Sequence, residues 1–234
     1  IIGRAIQSAH ARADELLADG VPPSQLYDRL VELDEEVPFL PEAEVRPTQK
    51  RLSVDLSGAP VRGAATAPIT IVVWGNFACM QCAEVARALA RLDQAHPGVV
   101  RVAWKHFPSP YRQAIGETAA EYAAAAAAQG RFWPLYDRVM ASHLTPARMS
   151  ASELGRLAAE VHLDGGALAR ELDSGRARAA VERDVNEARR LGVPGAGSIA
   201  VNGLPVAGAP SYEALERLVN AELDTGVLEK LRRR

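Results

Sequence analysis

Cys79 and Cys82 are the only cysteines among 234 residues, and they stand two residues apart in the stretch Phe77-Ala78-Cys79-Met80-Gln81-Cys82. Thiols at this spacing, just ahead of a run of helical periodicity, are suited to disulfide exchange, to half of a metal site, or to a static cross-link. The first turn of a helix presents free N–H groups and the positive end of the helix dipole, both of which stabilise a thiolate. Cys79 falls there and is the expected nucleophile. Cys82 returns to the same side of the helix, from which it can attack a mixed disulfide formed at Cys79. Structural zinc needs further ligands, and neither a second Cys-x-x-Cys nor a His pair at ligand spacing exists. Two readings stand beside redox use: thiols that merely pack, and a cluster shared between two chains.

Two regular elements are needed to hold such a pair. The run Ile69 to Trp74 is continuously apolar and β-rich, as expected of a central strand buried on both faces. A helix from about Cys79 to Gln94 comes next, Pro97-Gly98 ends it, and Val99 to Trp104 gives the second strand. A strand, helix, strand order of this length predicts a parallel crossover. Leu52, Val54 and Leu56 alternate ahead of it, like a strand. From Tyr111 to about Leu191 the pattern is helical, with Ser150 and Glu153 as a capping box. Strands return at Ser198 to Val201 and Leu204 to Val206, joined by the hairpin signal Asn202-Gly203. A last helix is predicted from about Ser211 to Leu223.

Residues 1–47 read as a helical extension and linker. Ile2, Ile6, Ala9, Ala13 and Leu16 share a helix face, Gly20 stops it, a second helix begins at Ser24, and Pro38, Pro41 and Pro47 interrupt the polar stretch beyond. The 27 basic and 29 acidic residues nearly cancel, so no global field favours nucleic acid. The longest apolar run, Tyr122 to Ala128, falls far short of the ~20 residues that span a bilayer.

These residues resemble the DsbA-like branch of the thioredoxin superfamily. The segment "APVRGAATAPITIVVWGNFACMQC" is similar to that family's opening strand and active site, "VRVAWKHFPSP" to its following strand and loop, and "AAAAAAQGRFWPLYDRVM" to its helical insertion. "LGVPGAGSIAVNGLPVAG" is similar to its substrate loop and hairpin, and "SYEALERLV" to its final helix. The resemblance implies an α/β, thioredoxin-like mixed sheet. The domain would span residues 48–225, with the helical insertion at about 108–191, the N-terminal extension before it and a tail at 226–234. It further implies exchange of disulfides with protein thiols outside the cytoplasm, in the periplasm for example. Cys79 would be the nucleophile and Cys82 the resolving thiol, no cofactor is required, and a membrane redox partner is compatible. Substrate would meet Ala196 and Gly197 in the loop and Phe77, Met80 and Gln81 around the cysteines. Residues 1–47 resemble a segment found in longer relatives, which would make this chain one module of a larger protein.

The resemblance breaks at one place. Counting back from Asn202-Gly203, Gly197 stands where the family has a cis-proline, and Pro194 falls three residues early. A cis bond before a non-proline residue costs ~3 kcal/mol, so a trans bond is expected at Ala196-Gly197. A looser loop and a more open Cys79 would result. The run Ile69 to Trp74 offers no buried acid, and Lys105 and His106 read as surface residues at a strand end. A thioredoxin-fold binding or scaffold module without catalysis, or a metal- or iron–sulfur-binding variant, is the alternative to the oxidoreductase.

Overall fold

The structure is a computed structural model that describes residues 15–20, 22, 50–77, 79–108, 113–142, 149–206 and 210–232. The chain divides into two compact units, residues 1–41 and 42–234. In the first, residues 15–18 make a helical turn that Gly20 closes at φ +84°, where the sequence placed the stop. The helix expected from Ser24 and the proline-rich linker lie outside the described residues.

The second unit is built on a five-stranded sheet of order β1-β3-β2-β4-β5. The strands are β1 (Val61–Arg62), β2 (Ile69–Gly75), β3 (Val100–His106), β4 (Ser198–Val201) and β5 (Leu204–Val206). β2 and β3 run parallel, in register from Ile69↔Val100 to Gly75↔His106, with helix α1 (Met80–Ala95) between them in sequence. The crossover read from the sequence is therefore present. β4 lies antiparallel on the other side of β2, from Ile71↔Val201 to Trp74↔Ser198.

The strand period of two explains how β2 can be buried on both faces. Ile69, Ile71 and Val73 enter the larger core with α1 and the insertion helices, whereas Val72 and Trp74 join a second cluster with Ala103, Ala188, Val193 and Ala200. Leu52, Val54 and Leu56 pack against that second cluster. Their alternation is real but they form no strand: the backbone there is irregular, tied to the hairpin by the Leu52 N–H, which donates to the Gly203 carbonyl at 2.7 Å.

Asn202 and Gly203 take φ +47° and +81°, the two positive values that a two-residue turn between twisted strands requires. The Asn202 side chain does more than turn the chain. Its Oδ1 accepts from the Thr70 N–H at 2.8 Å, and Arg51 bridges the Asn202 carbonyl to Glu222.

Among the described residues five helices lie between β3 and β4: α2 (Gln113–Ala128), α3 (Phe132–Ala141), α4 (Ala151–Glu160), α5 (Gly165–Asp173) and α6 (Arg176–Arg190). Ser150 caps α4, its Oγ accepting from the Glu153 N–H, and Asp164 caps α5 through the Ala167 N–H. The last helix, α7 (Tyr212–Arg232), runs nine residues past the expected Leu223, so the predicted tail at 226–234 is helical as far as Arg232. Leu, Glu, Lys and Arg in this stretch are good helix formers, and a single interior glycine, Gly226, costs only ~1 kcal/mol.

Candidate active site

The carboxyl end of β2 delivers the chain to the cysteines. Gly75 lies flat on the Trp104 indole: a Cβ there would come within 2.7 Å of Cζ2 and closer still to Cη2. Phe77 then turns inward. Its ring centroid lies 6.1 Å from Trp104, 5.9 Å from Phe132 and 6.0 Å from Tyr136, and the residue is buried. The aromatic cluster of the insertion thus occupies the faces of Phe77, the residue the resemblance offers as a substrate contact.

Cys79 is the N-cap of α1. Its backbone is extended, at φ −115° and ψ 118°, and its Sγ accepts from the Cys82 N–H at 3.1 Å. A helix N-terminus leaves its first N–H groups without intrahelical partners, and the cap sulfur takes one of them. The first turn contains no acidic residue that would oppose a thiolate. Cys79 and Cys82 are joined as a disulfide. Cys82 is 1% exposed, while Cys79 is only half-buried, so Cys79 is the sulfur an external thiol can approach.

The loop before β4 reaches the same place. The Ala196-Gly197 bond is trans, as expected, and Gly197 takes φ +86°. The loop is tied to β2 at this residue. The Gly197 N–H donates to the Trp74 carbonyl at 2.8 Å, a bond that proline could not make, and the residue is buried. Gln81 lies directly over it: a Cβ at Gly197 would sit 3.1 Å from Gln81 Cβ and 3.3 Å from Oε1. The fold thus brings together Cys79, Cys82, Gln81 and Gly197. The Met80 side chain lies outside the described residues.

Lys105 and His106 are not surface residues. Both are buried, at 2% and 3% exposed, because α6 supplies partners the strand itself lacks. Lys105 Nζ lies 3.2 Å from Asp184 Oδ1 and 3.0 Å from Glu187 Oε2; the second approach is an ion pair without hydrogen-bond alignment. The His106 N–H donates to Asp184 Oδ2 at 3.0 Å, and Glu187 Oε1 accepts from the Asp55 N–H at 2.7 Å. Burial pushes the His106 imidazole down to about 4, against an opposing pull from the Asp184 carboxylate. The indole N–H of Trp104 points at its Nδ1, at 3.4 Å. Sequence reasoning missed the two buried acids. The available signal was the α6 face: Val181, Asp184 and Ala188 recur at helical spacing, and all three are buried.

Residues 56–221 match the family described as thioredoxin. The chain belongs to the thioredoxin family. This thioredoxin-family chain is 33% identical over 168 residues, 71% of its length, to Na(+)/H(+) antiporter NhaA 3 of Salinispora tropica. It is 34% identical over 167 residues, 70% of its length, to Na(+)/H(+) antiporter NhaA of Herminiimonas arsenicoxydans. It spans about a quarter of the length of each of these relatives, 25% in both cases. In three dimensions it resembles oxidised BdbD of Bacillus subtilis, with a TM-score of 0.65 and 19% identity, covering 75% of this chain and all of that one. A thioredoxin-like oxidoreductase of Silicibacter pomeroyi gives a TM-score of 0.63 at 24% identity, covering 71% and 93%. The thiol-disulfide exchange protein alpha-DsbA2 of Wolbachia pipientis gives 0.60 at 15%, covering 70% and 86%. The fold is therefore the DsbA-type elaboration of thioredoxin, with its helices inserted between β3 and β4. Among the described residues no group of three or more His, Cys, Asp and Glu side chains is placed to hold a metal ion.

Proposed function

We propose that this domain is a dithiol–disulfide oxidoreductase acting on protein thiols and disulfides through Cys79 and Cys82. The observation that carries this reading is the placement of a half-buried disulfide sulfur as the N-cap of α1, with its partner fully buried behind it. A substrate thiolate attacks Cys79 Sγ, the Cys79–Cys82 bond breaks, and its electron pair leaves on Cys82 as thiolate. A second substrate thiolate then attacks the substrate sulfur of the mixed disulfide and releases Cys79 as thiolate. The substrate loses two electrons and the pair gains them. In the opposite direction reduced Cys79 attacks a substrate disulfide and Cys82 resolves it, so one geometry serves oxidation and reduction. The helix terminus stabilises Cys79 whenever it departs as thiolate.

Capture tests this. Cys82→Ser should accumulate mixed disulfides on Cys79 that reductant dissolves, Cys79→Ser should accumulate none, and the wild-type domain should reduce insulin or oxidise a dithiol peptide. Absence of all three defeats the reading.

A second reading concerns the setting, and rests on the antiporter relatives, about a quarter of whose length this chain matches. The domain belongs to a longer, membrane-anchored polypeptide and works on the extracytoplasmic side, where disulfides persist. Immunodetection decides it: an antibody to the domain should find it in the membrane fraction at antiporter size, with Cys79 labelled by a membrane-impermeant thiol reagent after reduction. A soluble band the size of these 234 residues would refute it.

A further inference from the structure

A cavity of about 220 Å³ lies between α2, the first turns of α6 and the carboxyl end of β3, and neither cysteine lines it. Ala124, Ala127, Ala177 and Ala180 give it apolar walls. His106 lines it as well, although the residue is only 3% exposed. The Trp104 indole N–H points at its Nδ1, which puts the ring proton on Nε2. Among the described residues Nε2 has no acceptor, yet it is not sealed off as the orphaned indole nitrogens of Trp74 and Trp133 are. A buried N–H is thus left facing the cavity. Arg183 is the second unspent donor: its Nη2 stands 3.7 Å from Asp184 Oδ1, too far for a hydrogen bond, and no acceptor among the described residues is aligned on its guanidinium. The other charges on the wall are taken. Arg176 holds Glu171 through Nε and Nη2, and Asp184 receives the Lys105 ammonium and the His106 main-chain N–H. The surplus acid of the Lys105 cluster, Glu187, does not line the cavity. Helix α6 adds the positive end of its dipole, since its first turn contains no acidic residue and its N-cap, Gly175, makes no side-chain cap.

We propose that this cavity is a binding site for a small monocarboxylate with a compact apolar body, whose carboxylate accepts from His106 Nε2–H and from the Arg183 guanidinium. Both unspent groups are donors, so the occupant must bring acceptors, and one of the donors is a cation, which favours an anionic acceptor. The alanine walls of α2 and α6 suit the apolar body. Benzene fills a cavity of about 150 Å³, so about 220 Å³ takes one ring and its carboxyl group. The site is separate from the cysteine pair: it goes beyond the exchange reading and stands without it.

Benzoate is the test ligand, titrated into the whole 234-residue chain and followed by calorimetry and by backbone-amide NMR. Binding should saturate, with the largest shifts at His106, Ala180 and Asp184. Benzamide has the same shape without the charge, and should bind at least about 10-fold more weakly, as expected when a charge-assisted hydrogen bond becomes a neutral one. Arg183→Ala, a substitution at the exposed edge of α6, should weaken benzoate by about the same factor. Ala180→Leu keeps a good helix former and fills the cavity, and should abolish binding. Urea midpoints establish that each variant is folded, and Ala127→Leu on the α2 wall takes the place of Ala180→Leu if the latter is not. Failure of benzoate to saturate, equal binding of benzamide, wild-type affinity in Arg183→Ala, or undiminished binding in the cavity-filled variant would each overturn the proposal.

Discussion

The amide of Gly197 donates to the carbonyl of Trp74 across 2.8 Å, which carries the pairing of β4 with β2 one residue past Ser198 and brings the loop onto Gln81. Proline at this position fails on three counts: it has no N–H, its ring fixes φ near −65° where the chain needs +86°, and its Cβ would press on Gln81. Gly197→Pro should therefore destabilise the domain by at least about 2 kcal/mol in urea unfolding. Restoring the residue type of the family would weaken this chain, and a Gly197→Pro variant as stable as the wild type would refute that.

Gly197→Ala isolates two of those terms. The left-handed backbone costs a residue with a Cβ roughly 1–2 kcal/mol, and the contact at 3.1 Å adds to it. Adding Gln81→Ala removes Oε1, at 3.3 Å, but keeps the Cβ at 3.1 Å, so it should recover only part of the contact cost and leave the backbone cost. A double-mutant cycle with no coupling between the two positions would show that Gln81 moves aside freely.

Lys105 is held between Asp184 and Glu187 with almost no solvent. Lys105→Met would leave two carboxylates facing each other in the interior, and removal of one partner from a buried ion pair costs about 3–5 kcal/mol. Chemical denaturation should show a loss of that order, and adding Asp184→Asn with Glu187→Gln should return a good part of it. A loss under about 1 kcal/mol for Lys105→Met alone would mean that water reaches the cluster.

What the sequence disclosed and what it hid divide along sequence distance. β2, the crossover to β3, the Asn202-Gly203 turn and the cysteine at a helix start are local patterns, each carried by a few consecutive residues, and each is where it was expected. Lys105 could not be read as buried because its partners come from α6, 79 and 82 positions later, and a lysine beside a histidine at a strand end has the local signature of a surface. The fit of Gln81 to Gly197 is hidden for the same reason. A glycine in place of proline suggests a loose loop until the Trp74 carbonyl and the Gln81 side chain are found on it.

Gly75 is a further close fit between distant residues. A Cβ would enter the Trp104 ring, which is itself locked among Phe77, Phe132 and Tyr136. Gly75→Ala should cost about 1–3 kcal/mol by overpacking. Because the strain falls two residues before Phe77 and four before Cys79, peptide exchange should slow as well. Trp104→Leu in the same chain should relieve the clash, and a Gly75→Ala variant with unchanged thermal midpoint would show that β2 ends more freely than this packing implies.

His106 sets the acid limb of stability. Its imidazole is buried and neutral, facing the Asp184 carboxylate, the Lys105 ammonium and the Arg183 guanidinium, with the Phe132 ring and the Trp104 indole on its other sides. Burial, the largest cause, lowers it from 6.5 to about 4. At pH above 6.5 the group is neutral in the folded and the unfolded chain and contributes no pH dependence. As pH falls from 6.5 toward 4 the unfolded chain binds a proton that the folded chain refuses, so stability falls, with a slope of up to ~1.4 kcal/mol per pH unit for one proton. Below about 4 both states are protonated and the contribution levels off, after a total loss of roughly 3 kcal/mol. Urea midpoints measured between about pH 4 and 7 should show this decline in the wild type, and His106→Gln, which does not titrate, should flatten it. A variant whose midpoints fall in parallel with the wild type would assign the acid sensitivity to carboxylates elsewhere in the fold.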